Sequence, residues 1–271
     1  MSHSQPDFEA IKQKQSAAWA AGDYSVLGVM LQIVGENLAE SLDLRAGDKV
    51  LDVAAGNGNF SLAAARCWAE VTSTDYVPAL LDAGKLRAKA DGLDIKFQTA
   101  DAENLPFDDG AFDVVGSTFG VMFAPDQPKS ASELLRVCRS GGKIGMANWT
   151  PEGFLGSFFK IISEYVTVPA SFDPPVLWGT KAFMQTHFAP HASDITIERK
   201  AYTFRNKSPE HWLEIFRISF GPLQKTFAAL DADNQAKMTQ DFFKNVTRFN
   251  RVDDGAMVVP AEYLEIVITK K

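Results

Sequence analysis

Between residues 48 and 148 the chain alternates short apolar runs with longer stretches of helical periodicity, the pattern of a parallel sheet covered on both faces. The runs predict strands at 49–53, 70–74, 95–99, 112–117 and 142–148, with helices between them at about 60–68, 77–90 and 128–138. Each helix is long enough for the right-handed crossover that parallel neighbours require. Arg139-Ser140-Gly141-Gly142 is expected to stop the third of these as a glycine-rich helix end.

The flanks carry other periods. Before residue 45, Phe8, Ile11, Gln15 and Trp19 fall near one helical face, Gly22-Asp23 breaks the run, and 26–42 resumes with apolar residues three and four apart. Residues 150–192 lose the alternation, are rich in Phe, Pro and Trp, and read as an insertion packed on the core. A strand-like alternation spans 195–204. Ser208-Pro209-Glu210 then opens helical segments that run to about 250, with Ser as N-cap and Pro at the first helical position, and 263–269 closes as a strand. The division expected within one domain is N-terminal helices acting as a lid (1–44), a ligand-binding core (45–150), an insertion or cap (151–192), and C-terminal strands with inserted helices (193–271).

A chain of 271 residues with 46% hydrophobic and 23% charged residues can bury one sizeable core. The net charge of −7 argues against a surface built for polyphosphate backbones, so no nucleic-acid partner is expected and a small-molecule substrate gains ground. No uncharged apolar run reaches roughly 18 residues, and MSHSQPDFEAIKQKQ lacks a basic start followed by an apolar stretch. The expectation is a cytoplasmic protein without a transmembrane segment, its oligomeric state open between monomer and homodimer. Cys67 and Cys138 lie far apart in apparently helical, apolar surroundings and read as inert buried thiols. Asp108-Asp109, Asp231-Ala232-Asp233 and Asp253-Asp254 sit in polar turns without calcium-loop spacing, so no metal is expected.

The strongest chemical signal is Val50-Leu51-Asp52-Val53-Ala54-Ala55-Gly56-Asn57-Gly58-Asn59-Phe60-Ser61-Leu62, a buried strand passing through a glycine turn into a helix. Gly56 and Gly58 can adopt backbone angles closed to other residues and let a ligand approach the main chain. The helix N-terminus then faces a carboxylate or a phosphate equally well. Asp75 follows Gly56 by 75 − 56 = 19 residues, where a carboxylate can accept from both hydroxyls of an adenosine ribose. Dinucleotide and S-adenosylmethionine sites share that feature. Ser61 is a moderate fit to the third small residue of the dinucleotide fingerprint, and the negative charge of Asp52 suits an α-ammonium better than a pyrophosphate.

The segment resembles motif I of class I S-adenosylmethionine-dependent methyltransferases, acidic-x-Gly-x-Gly-x-Gly, with Ala54, Gly56 and Gly58 in the three glycine places. Thr99-Ala100-Asp101-Ala102-Glu103-Asn104-Leu105-Pro106-Phe107, Phe112-Asp113-Val114-Val115 and Glu133-Leu134-Leu135-Arg136-Val137-Cys138-Arg139-Ser140-Gly141-Gly142 resemble further signatures of its ubiquinone/menaquinone C-methyltransferase-like branch. The resemblance covers roughly residues 45–150. It implies a Rossmann-like, doubly wound α/β fold with a mostly parallel seven-stranded sheet, an antiparallel last strand and a helical substrate cap. It also implies a cofactor, S-adenosylmethionine, held by Asp52, Ala54, Gly56, Gly58, Asp75 and Tyr76, with Asp101 and Ala102 at the adenine and Ser117 and Thr118 along the methionine and methyl-transfer side. Ser117-Thr118-Phe119-Gly120 departs from the N-P-P-Y-like signature of nucleobase or glutamine amino methylation.

Methyl transfer from a sulfonium is an in-line displacement that needs alignment and exclusion of water more than a dedicated base. If a base is used, His187 is the candidate among His187, His191 and His211, and Tyr24 is a candidate lid or catalytic residue. Phe154, Phe158, Phe159, Tyr165, Phe172, Trp178, Phe183 and Phe188, then Phe at 216, 220, 227, 242, 243 and 249, exceed what a small core needs and point to an apolar or aromatic substrate pocket. The alternatives are an NAD(P)-dependent oxidoreductase and a non-catalytic S-adenosylmethionine-binding protein.

Overall fold

The computed structural model describes residues 7–166 and 173–271. Phe172 lies outside the described residues. Two helices open the fold, α1 (Phe8–Trp19) and α2 (Tyr24–Ser41), bent by 97° at the break between them. The Asp7 and Asp23 carboxylates start them by accepting from the free first-turn amides of Ala10 and Ser25. The alternating region follows as β1 (Lys49–Val53), α3 (Asn59–Arg66), β2 (Glu70–Asp75), α4 (Pro78–Asp91), β3 (Ile95–Thr99), β4 (Phe112–Thr118), α5 (Gln127–Val137) and β5 (Cys138–Trp149). The remainder is α6 (Phe154–Tyr165), α7 (Lys181–His187), β6 (Ala192–Asn206), α8 (Pro209–Ser219), α9 (Gly221–Ala229), α10 (Ala232–Phe249) and β7 (Met257–Lys270). Ser208 caps α8 through His211 N, with Pro209 next, as the sequence predicts.

The strands form one seven-stranded sheet in the order β3-β2-β1-β4-β5-β7-β6. Strands β3 to β5 are parallel, and β7 runs antiparallel to both β5 and β6. The Rossmann-like, doubly wound fold with an antiparallel last strand is therefore the one expected. Strand order reverses between β1 and β4, so their carboxyl ends diverge and open a crevice there. Two buried clusters flank the sheet. The larger joins β4, β5 and β7 to α5, α6, α8 and α10 around Trp178, Trp212, Phe154, Phe158 and Phe242, and the smaller joins α2 and α3 to β1 through Leu38, Leu42 and Phe60.

Two expectations are corrected. Arg139 to Gly142 does not end a helix: α5 stops at Val137, Cys138 is already extended and pairs with Phe112, and the register shifts before Val114 meets Lys143. Gly141, at φ +71°, supplies that irregularity inside β5 rather than a helix cap. The cysteines also differ from the expected pair of buried helical thiols, since Cys138 is buried but begins a strand, while Cys67 caps α3 and is only half-buried. Among the described residues no single helix is long and apolar enough to cross a membrane.

Candidate functional site

The crevice at the carboxyl ends of β1, β2 and β4 is the mouth of an open cavity lined by the loops that follow these strands and by α1, α2, α6 and α8. Its first wall is the loop after β1. Ala54 and Gly56 take left-handed backbone angles (φ +52° and +57°), and Gly58 (φ +84°) leads into α3. Nothing lies within 4 Å of where a Cβ on Gly56 would stand, so that space is free for a ligand against the main chain.

Asp75, at the end of β2, ties this loop to the next. Its Oδ2 accepts from Gly56 N and its Oδ1 from Val77 N, each at 2.9 Å. Each carboxylate oxygen keeps a further lone pair for a ligand hydroxyl. Burial pushes the Asp75 carboxyl up to about 6, and the backbone amides at Val77, Gly56 and Tyr76 only partly offset it. Asp101, beyond β3, receives Glu103 N at 2.9 Å and Lys12 Nζ at 2.7 Å. Lys12 reaches down from α1 and also meets Glu103 at 3.2 Å. Burial disfavours its ammonium, but hydrogen bonds and charge from Asp101 and Glu103 prevail and hold its pKa above the ordinary value.

The roof is aromatic. Trp19 packs against Tyr24 at 5.5 Å, Phe123 at 4.9 Å and Phe220 at 5.5 Å between centroids. The turn between α1 and α2 meets the turn between α8 and α9 backbone to backbone: a Cβ on Gly221 would stand 1.9 Å from Ala18 O, and one on Gly22 2.3 Å from Ser219 O. Only glycine permits that approach. The Tyr24 carbonyl accepts from Asn57 Nδ2 at 2.9 Å, while its buried hydroxyl, beside the Gly221 amide, has no acceptor for its proton. Burial, then the charges of Asp75 and Tyr76, push the phenol well above its ordinary pKa, so Tyr24 Oη is a proton donor rather than a base at neutral pH. Beneath the roof lies a lobe walled by Leu155, Phe158, Phe159, Phe204, Phe216 and Phe220. No ionisable side chain is among these six.

Of the residues singled out by sequence, Tyr24, Ala54, Gly56, Asp75, Tyr76, Asp101, Ala102 and Thr118 line this one cavity. Asp52, Gly58 and Ser117 stand behind the lining. Asp52 is fully buried, with Oδ2 accepting from Ser61 N (2.9 Å) and Ser61 Oγ (2.6 Å). Ser117 Oγ donates to Val53 O and accepts from Val121 N, bracing the end of β4 against β1. His187 does not join them: it ends α7, its ring 4.3 Å from that of Phe183 and tilted 40° to it, and neither His191 nor His211 lines the cavity. Phe158, Phe159, Phe216 and Phe220 are the expected aromatics that do line it, whereas Phe154, Trp178 and Phe242 are core. Lys12, Asn57, Phe119, Trp149 and Phe204 line the cavity without having been singled out for it by the sequence. Among the described residues no three His, Cys, Asp or Glu side chains converge as a metal site.

Comparison with known proteins gives the family of the chain. Residues 51–146 match the methyltransferase domain family. An uncharacterized protein of Mycobacterium tuberculosis is 42% identical over 226 residues, 82% of each chain. Demethylmenaquinone methyltransferase of Clavibacter sepedonicus is 31% identical over 189 residues, 70% of this chain and 69% of that one. The solved YcgJ protein of Bacillus subtilis superposes with a TM-score of 0.60 over 88% of this chain and 98% of that one at 16% identity, a likeness of fold.

Proposed function

Because the chain belongs to the class I S-adenosylmethionine-dependent methyltransferases, we propose that it methylates a small or medium, apolar or aromatic metabolite by in-line displacement. The observation that carries this reading is that one cavity is lined both by Gly56, Asp75 and Asp101 and by a cluster of mutually packed rings, Phe158, Phe159, Phe216 and Phe220. The residues present fit the cofactor: the open space over Gly56 suits a ligand lying on the main chain, and Tyr24 Oη is a buried donor waiting for an acceptor. When bound, S-adenosylmethionine supplies a methyl group on a positively charged sulfur.

In this reading Asp75 holds the ribose hydroxyls, and Asp101 and Ala102 meet the adenine. The loop from Ala54 to Gly58 cradles the methionine portion, with Asp52 and Ser117 stiffening it from behind. Thr118 borders the point of transfer. The helices α1 and α2 act as the lid, and Trp19, Tyr24 and Phe220 close it against water, which an in-line displacement needs more than it needs a base. The lobe selects its acceptor by shape and lack of charge, because an ionised group there would lose its hydration without gaining a partner. His187 does not line the cavity and is given no part in the chemistry.

The test is a panel of neutral aromatic acceptors and their carboxylated counterparts, offered with methyl-labelled cofactor. Label is expected in the neutral members. Transfer confined to the charged members would contradict the reading.

A further inference from the structure

Resting on the cofactor reading above, we propose that Phe119 recognises the positive charge of the cofactor sulfonium through the face of its ring, and so distinguishes the charged methyl donor from its neutral product. Phe119 and Ala54 are the non-glycine cavity residues held at positive φ, +56° and +52°. They leave the carboxyl ends of β4 and β1, the two strands that flank the reversal of order. The other non-glycine residues with positive φ, Asp43 and Trp68, sit in turns outside the cavity lining. Such backbone angles are disfavoured for a side chain as large as Phe and persist only where the surroundings impose them.

The surroundings do impose this one. Phe119 N donates to Ala147 O at 2.9 Å. The next residue must be glycine, since a Cβ on Gly120 would stand 2.0 Å from Ala54 O. The Phe119 ring lies flat on Trp149, 3.7 Å between centroids and 1° between planes, with Tyr263 edge-on at 5.5 Å. Trp149 covers one face and Tyr263 packs perpendicular to the ring, and the half-buried residue lines the cavity; the face away from Trp149 is the one assigned to the cofactor.

Charge is distributed unevenly around that cavity. Its charged lining residues, Lys12, Asp75 and Asp101, come from α1 and the ends of β2 and β3, and Lys12 is already paired with Asp101. On the β4 and β5 side stand Thr118, Phe119, Gly120, Val121 and Trp149, without an ionisable group. A cation placed at the end of β4 finds its electrostatic partner in the negative face of an aromatic ring, an attraction that grows when water is excluded. Loss of the methyl group leaves a neutral thioether and removes that attraction, which favours exchange of product for fresh donor.

Calorimetric titration of the intact chain with S-adenosylmethionine and, separately, with S-adenosylhomocysteine tests this without any acceptor. Phe119→Leu keeps apolar bulk and the left-handed backbone but has no π face, while Phe119→Tyr keeps the ring. The leucine variant is expected to lose about five- to tenfold in affinity for S-adenosylmethionine and less than about twofold for S-adenosylhomocysteine, with the tyrosine variant retaining the wild-type ratio. Pentafluorophenylalanine at position 119 preserves shape and reverses the polarity of the face, so it keeps the test decisive if the leucine variant does not fold; it too should weaken S-adenosylmethionine selectively. Equal losses for both ligands, or an unchanged ratio, would overturn the proposal while leaving the cofactor reading intact. A wild-type chain that binds neither ligand would overturn both.

Discussion

Replacing Asp52 with asparagine should flatten the dependence of the protein's stability on pH, so that the variant gains on the wild type as pH rises. Asp52 is fully buried; Oδ2 is satisfied by Ser61, whose hydroxyl also lies 2.8 Å from Ser73 Oγ, but Oδ1 has no partner. Burial is the largest influence and, with Asp75 acting in the same direction, pushes the carboxyl from 3.8 up to about 7 against the two hydrogen bonds from Ser61. A raised carboxyl pKa means that the folded state holds its proton more tightly than the unfolded chain. The associated stability is therefore present below about pH 4 and is lost as pH rises through 7. Each pH unit between those limits removes about 1.4 kcal/mol, so going from pH 5 to pH 8 costs the wild type on the order of 3 kcal/mol through this one group. Asparagine keeps an oxygen for Ser61 and cannot ionise. Asp75, pushed up to about 6, adds a slope of its own to both proteins, and the comparison reads the excess that Asp52 contributes. Urea unfolding of wild type and Asp52→Asn at pH 5 and pH 8 measures the gap, which should widen in favour of the variant by about 3 kcal/mol. Parallel pH dependences, or a variant that loses ground at pH 8, would refute the reasoning.

Two further substitutions probe the crevice and its lid. Gly120→Ala puts a methyl group 2.0 Å from Ala54 O and 2.8 Å from Ala54 Cβ, so the loop after β1 must move; a stability loss of about 1–3 kcal/mol is expected, with cofactor affinity at least about tenfold weaker by calorimetry. Lys12→Ala removes the ties from α1 to Asp101 and Glu103, and because α1 contributes no buried residue to the core, global stability should fall by about 1 kcal/mol or less. Hydrogen exchange across residues 8–19 should nevertheless quicken, and unchanged exchange would show that the lysine does not hold the lid.

The alternating core was legible because short β-branched and apolar segments such as Val50 to Val53 and Phe112 to Val115 alternate with stretches of helical period, and the glycine turn at Gly56 and Gly58 marks the passage from the first strand into a helix. The end of α5 was misplaced because Arg139 to Gly142 is equally good chemistry for a helix stop and for an irregularity within a strand; pairing of Cys138 with Phe112 decides between them. The aromatic lobe was foreseeable only as a surplus. Phe154 and Phe158 lie in the same helix and are both buried in the core, yet only Phe158 also lines the cavity, where it packs on Phe220. Lys12 was invisible for the same reason: its partners stand 89 and 91 residues away. The angle at Phe119 is imposed by Trp149, Gly120 and Ala54 together, and no residue type announces it.

The central claim is methyl transfer to an uncharged acceptor held in the aromatic lobe. Its most direct test is the labelled-methyl panel run in parallel with wild type and Asp75→Ala. Label is expected in neutral aromatic acceptors with wild type and strongly reduced with the variant, recovered in part at high cofactor concentration. Labelling of carboxylated acceptors alone, or transfer to neutral ones that is indifferent to the loss of Asp75, would contradict it.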